Sequence, residues 1–290
     1  MTIAGLLLAT SAHTQKKISM KDSLDGKLDL SDYIIDANGF VPVPAIITEP
    51  ALGGFGVALA PVFLKQRPPF VDSVRGGVKV TPVPPDITGG VGVYTVNGTW
   101  MAAAFRSGTF VKSRIKYKIG AAYGDVNMSF YPTLPVFGEK EFRASIRTIP
   151  VFVSAVKRVG ISNWFGGFQY LFLHSKVSGN GEATLPAFIK PIETNSNLGV
   201  FSGIVEFDSR DNVFTPNRGM KVHIDGGFSD NIVGSDYNFW KLNYFMYLYS
   251  HISEKITGGW RVDGEQILGG DPPFYFLPFI DMRGVPAARY

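Results

Sequence analysis

The chain has 290 residues, with 33 Gly, 19 Pro, no Cys and a formal charge of +4. The absence of cysteine excludes a disulfide scaffold and a thiolate metal site or nucleophile, and so small a net charge gives no electrostatic case for a nucleic-acid partner. Only 18% of residues are charged and 13% are aromatic, while glycine and proline, costly inside helices, recur along the whole chain. That composition predicts strands joined by turns.

In chain order, residues 1–15 carry an apolar run, Ile3 to Ala12, then small residues and Gln15-Lys16-Lys17. This predicts an export signal peptide whose start lies upstream. Residues 16–52 are polar and then broken by Pro42, Pro44 and Pro50, which predicts a periplasmic N-terminal segment. From Gly53 onward the period is 2. Strands are expected near 53–63, 87–96, 99–107, 114–123, 125–131, 142–156, 163–176, 198–208, 219–228, 237–250 and 254–266, eleven in all. The stretches 64–86, 132–141, 177–197 and 267–290 read as long loops, and Asn97-Gly98 as a tight hairpin.

Several of these segments, 114–123, 220–228 and 254–265, show one polar and one apolar side. Lys221, His223 and Asp225 oppose Met220, Val222 and Ile224, while Arg261, Asp263 and Glu265 oppose Trp260 and Val262. A soluble sandwich would give the same alternation with its apolar side turned inward. The length of the strands, the aromatics on their apolar sides and the long and short connections favour an all-β antiparallel transmembrane β-barrel over residues 53–290. The polar side, with Lys221, His223, Asp225, Arg261, Asp263 and Glu265, would then line the lumen. An odd strand count leaves an edge that lipid does not tolerate, so the barrel is expected to be incomplete at its C-terminal side.

Two motifs stand out. Asp208, Arg210, Asp211, Asn212, Pro216 and Gly219 fall between two strands, at spacings that make turns. Met282-Arg283-Gly284 lies in the last loop. In this order the pair resembles the bacterial surface antigen domain, the barrel of the BamA/TamA superfamily, over roughly residues 45–290. The resemblance implies a sixteen-stranded barrel, with the first motif on the periplasmic turn after the eighth strand. It places the Arg283-Gly284 tip on the sixth extracellular loop, folded back into the lumen. The tip departs from the family's aromatic after Arg-Gly, since Val285-Pro286 follows. The periplasmic POTRA repeats of the larger members have no room here, so the likeness is to the barrel-only type.

Neither G-x-S-x-G, H-E-x-x-H nor a P-loop occurs, and His13, His174, His223 and His251 show no metal spacing. No catalytic residue, metal or cofactor is expected. The expected function is insertion or translocation of protein or lipid at the outer membrane of a Gram-negative bacterium. Its partners would be outer-membrane lipid and unfolded protein or lipid clients. The alternative is a passive pore or uptake channel whose basic lumen, with Arg114, Lys116, Lys118, Arg143 and Arg147, selects anions.

Overall fold

The computed structural model describes residues 39–48, 54–130, 133–134, 138–139, 142–179, 194–213, 216–253 and 256–278. The signal-peptide stretch and Met282-Arg283-Gly284 lie outside them. Fifteen strands occur among the described residues, joined by turns and two short 3-10 turns, Asn231–Val233 and Phe274–Phe276. They are β1 (Gly39–Ile47), β2 (Gly56–Lys65), β3 (Phe70–Val74), β4 (Gly77–Thr81), β5 (Asp86–Thr95), β6 (Trp100–Phe110) and β7 (Ile115–Phe130), followed by β8 (Thr133–Leu134), β9 (Gly138–Glu139), β10 (Phe142–Arg158), β11 (Trp164–Gly179), β12 (Asn195–Asp208), β13 (Gly219–Ser229), β14 (Phe239–Ser253) and β15 (Ile256–Gly270). Eleven of them form one antiparallel sheet, β1-β2-β5-β6-β7-β10-β11-β12-β13-β14-β15. Within this sheet β1 and β15 each pair on one side only, so among the described residues the sheet is open.

The alternation read from the sequence is the alternation of burial. Along β12, Ser196, Leu198, Val200, Ser202, Ile204 and Glu206 are buried while Phe201 and Val205 are exposed. The buried side is concave. Lys116 on β7 reaches Glu206 on β12, 3.1 Å apart, across the two intervening strands β10 and β11. In a flat sheet three strand spacings of about 4.8 Å would separate those backbones, so the strands must curl toward this side.

Three expectations change. Gly39–Ile47, read as part of a segment preceding the barrel, is a sheet strand containing Pro42 and Pro44. Proline is tolerated in a strand at a sheet edge, where its missing N–H faces no ladder. The break expected near Gly124 does not occur, and β7 runs unbroken for 16 residues. Gly124 is there for close approach, not for turning: a Cβ on it would lie 2.5 Å from the Trp100 carbonyl oxygen. These two changes cancel in the count, which stays at eleven.

The third change concerns residues 64–86. Successive connections in an antiparallel sheet alternate between its two ends. The connections 66–85, 111–114, 159–163 and 209–218 share one end, here the turn end, and 48–55, 96–99, 131–141, 180–194 and 230–238 share the other. The long 66–85 connection therefore lies opposite the other long loops. It holds the β3–β4 hairpin, which folds onto the concave side, where Phe70 and Val83 pack with Val156, Phe165 and Ile204 from β10, β11 and β12. At the loop end the concave side is apolar and is covered by Phe274–Phe276, with Phe276 5.7 Å from Phe239 and Phe274 against Ala144, Ile146 and Val177. The chain after β15 thus turns back over the concave side.

Candidate functional site: the charged concave side

The strand period brings Glu206, Lys221, His223 and Asp225 to one side of β12 and β13, with Glu206 opposite His223 in register. Glu206 is the centre of the group. It meets Lys116 Nζ at 3.1 Å, Lys221 Nζ at 3.3 Å and His223 Nδ1 at 3.6 Å. Lys116 also lies 3.6 Å above the Phe165 ring, a cation–π contact. The other edge of the His223 ring points to Asp225, with Nε2 to Oδ2 at 3.4 Å, and Asp225 accepts from Gln169 at 3.0 Å and Asn243 at 3.1 Å. His223 stacks on Phe245 at 4.8 Å. Seven polar side chains from β7, β11, β12, β13 and β14 are thereby joined into one network.

The expected residues of β15 stand apart from this network. Arg261 donates to Asp263 at 2.6 Å, and Glu265 accepts from Lys241 at 2.8 Å, all near the open edge. Lys116 was expected as a lumen cation and Glu206 as a lumen-side carboxylate, but not paired with each other, and Gln169 and Asn243 were not among the expected site residues. Glu206 carried a signal in its alternation along β12. The pairing with Lys116 spans 90 positions and follows from the curl alone.

A second charged group pins the β3–β4 hairpin at the turn end. Asp72 is bonded to Arg158 Nη1 at 2.7 Å and to Arg114 Nη2 at 2.5 Å. The Arg158 side chain is 0% exposed and that of Asp72 1%. Arg158 also donates to Thr81 Oγ1 and to the carbonyls of Ser162 and Ile161. Lys79 of the hairpin donates to Asn163 Oδ1 and to the Ile161 carbonyl, both at 3.0 Å. The pattern Val71-Asp72-Ser73-Val74 and Val78-Lys79-Val80 around Gly76-Gly77 was the legible signal for this hairpin.

The turn motif closes on itself. Arg210 grips the Asp208 carboxylate through Nε and Nη2, both at 2.9 Å, and donates to the Val213 carbonyl at 3.1 Å. Burial works against the Arg210 charge, and the paired bonds to Asp208 outweigh it, so its guanidinium holds its proton more tightly than a free arginine. Asp211 Oδ1 accepts from the backbone N–H groups of Asn212, Asn217 and Arg218, which is the Asx geometry that shapes such turns. Pro216 lies between these anchors. Gly219 has φ +99°, and a Cβ on it would lie 2.4 Å from the Ser209 carbonyl oxygen. Gly219→Ala should therefore cost about 1–3 kcal/mol, seen as a lower urea midpoint with the strand content of the folded protein unchanged.

The basic residues proposed to form an anion-selective ring are distributed differently. Arg114 is held by Asp72 and Lys116 by Glu206. Arg147 pairs with Asp125 at 3.1 Å, on the side that carries Trp100, the partner of Asp125 in register. The Arg143 side chain lies outside the described residues. Among the described residues no group of three or more His, Asp or Glu side chains is placed to hold a metal ion. The chain matches no known protein family and no curated protein.

Proposed function

We propose that the chain forms the wall of an antiparallel β-barrel in the outer membrane of a Gram-negative bacterium, where it inserts or translocates protein or lipid by opening locally beside β1. The observation that carries the reading is the inverted distribution of its side chains. Glu206, Asp225, Lys241, Arg158 and Asp72 are buried, while Phe63, Tyr94, Phe168, Phe201, Tyr244 and Val262 are exposed on the convex side. In water that arrangement is unfavourable at every exposed ring, whereas in lipid it is the expected one.

All four tryptophans are exposed on this side. Trp100 and Trp240 open β6 and β14 at the loop end; Trp164 and Trp260 sit early in β11 and β15, toward the turn end. Two aromatic levels at opposite ends of the strands suit the two interfaces of a bilayer. The charged concave side would line the lumen, with the β3–β4 hairpin over its turn-end mouth. The positions of the motifs support the likeness to BamA/TamA barrels, since the Asp208–Gly219 turn follows the eighth sheet strand and residues 282–284 follow the eleventh. The return of Phe274–Phe276 over the concave side supports a last loop that begins by folding inward.

Opening beside β1 follows from its prolines. Val96 N donates to the Phe55 carbonyl, which fixes the bonding parity of β2. Its odd residues face β5 and its even residues face β1. By the register, Gly39, Val41, Val43, Ala45 and Ile47 bond to β2, and Phe40, Pro42, Pro44 and Ile46 face the free edge. Two of these four edge positions have no N–H, so any strand closing against β1 forms a donor-poor seam. Paired internal charges and a covered mouth favour this reading over a passive anion pore.

Brominated phospholipids in reconstituted vesicles should quench the tryptophan fluorescence strongly; quenching no greater than with unbrominated lipid would overturn the membrane reading. The double substitution Pro42→Thr, Pro44→Thr restores both donors and should slow client insertion several-fold while leaving assembly intact. Insertion at the unaltered rate would overturn opening at β1.

A further inference from the structure

The convex side carries a charged group that the lumen does not use. It lies at the turn end, where Asp86 opens β5 and Lys65, its register partner, ends β2. Asp86 is bonded to Arg67, accepts the Thr109 backbone N–H at 3.1 Å, and lies 3.9 Å from Arg106 Nη2. Arg106 is aimed by a second bond, from Nε to the Tyr117 hydroxyl at 2.8 Å. Tyr117 stacks on exposed Phe110 at 4.7 Å, which puts the cluster level with the aromatics of this end. Gly108 makes the space: a Cβ there would lie 2.8 Å from Asp86 Oδ1 and 2.9 Å from the Tyr117 hydroxyl.

The acid is buried beneath its bases. The Asp86 side chain is 4% exposed, against 50% for Arg106 and 29% for Arg67. Two cations, Arg67 and Arg106, face one carboxylate, Lys65 adds a third on the neighbouring strand as its register partner, and Arg67 Nε has no hydrogen-bond partner among the described residues. The buried carboxylate thus holds the Arg67 guanidinium directly, with Arg106 nearby and Lys65 on the neighbouring strand, and the group leaves a surplus of positive charge on the convex side. Guanidinium forks match the geometry of phosphate oxygens.

We infer that Lys65, Arg67 and Arg106 form a phosphate site on the lipid-facing wall, and that its ligand is the headgroup phosphate of an anionic glycerophospholipid in the leaflet at the turn end. The site rests on the membrane-barrel reading, because only a bilayer brings a phosphate to that level of the convex side. It flanks the β1–β2 edge, so a bound lipid would stand beside the donor-poor seam.

The test uses the full chain purified in a maltoside detergent. Dioctanoyl phosphatidylglycerol, dioctanoylglycerol and inorganic phosphate are added separately, with bound lipid counted by native mass spectrometry and stability followed by thermal midpoint. Phosphatidylglycerol should be retained at one copy and raise the midpoint, and dioctanoylglycerol should do neither. Arg106→Gln, which leaves the Arg67–Asp86 pair in place, should weaken retention about tenfold, the loss expected of one charge-assisted contact. Lys65→Gln, at an exposed position, should weaken it less and tests the site without touching its buried pair. Equal retention by parent and both variants would overturn the site. Equal stabilisation by inorganic phosphate alone would overturn the lipid as its ligand. Either result leaves tryptophan quenching by brominated lipid intact, whereas loss of that quenching would overturn the barrel reading itself.

Discussion

Glu206→Leu should destabilise the folded protein by about 3–5 kcal/mol, the usual cost of removing one partner from a buried charge group. Lys116, Lys221 and His223 all face this carboxylate, and its loss leaves two lysine charges on the concave side without the anion that both of them contact. Lys116→Met should cost far less, because Glu206 keeps Lys221 and His223, and the methionine side chain can still cover Phe165. The contrast is measurable as urea midpoints of the reconstituted protein. Equal losses for the two variants would mean that Glu206 is not the organiser of the group.

Arg158→Ala should have an effect of similar size, again about 3–5 kcal/mol, and should also release the hairpin. Arg158 bonds Asp72, Thr81, Ser162 and Ile161 and lies 5.2 Å from the Phe70 ring centre. The alanine variant leaves Asp72 with Arg114 alone and opens a cavity beneath β3. Arg158→Lys keeps the charge but not the fork that serves four partners, so it should be intermediate. Protease cleavage within 66–85 gives a second readout, fast in the alanine variant and slow in the parent. Slow cleavage in both would show that the apolar contacts of Phe70 and Val83 hold the hairpin unaided.

What could be read from the sequence was what depends on period 2. The sides of β13 and β15 came from alternation alone, and with them the shared side of Lys221, His223 and Asp225. Proline and glycine were harder to read, because each has two physical meanings. Pro42 and Pro44 look like strand breakers unless the strand lies at an edge with those nitrogens turned outward. Gly124-Asp125 looks like a turn, yet the glycine serves close packing and the aspartate pairs with Arg147 across the sheet. The end at which 66–85 lies depended on the parity of the strand count, so one missed strand reversed it. The Lys116–Glu206 and Asp72–Arg158 pairs were out of reach, since both are set by curvature and by a hairpin folding over, and no local pattern encodes either.

The ladder between β2 and β5 has a gap. Leu59 pairs with Gly92 and Val62 with Gly89, but the two positions between them, Ala60 and Pro61 opposite Val91 and Gly90, make no pair. Pro61 stands where β2 should donate to β5, and three glycines, Gly89, Gly90 and Gly92, leave that part of β5 with little side-chain volume. The sheet is therefore weakened one strand inward from its edge, as it also is between β7 and β10 at Ile149 and Pro150. Deformation at the first of these places would bend the wall along the β2–β5 line, so β1 and β2 would swing as a two-stranded flap and stay bonded to each other. A flap of that width moves more wall for each hydrogen bond broken than a single peeling strand, and the fold can close again without having to find the β1–β2 register a second time.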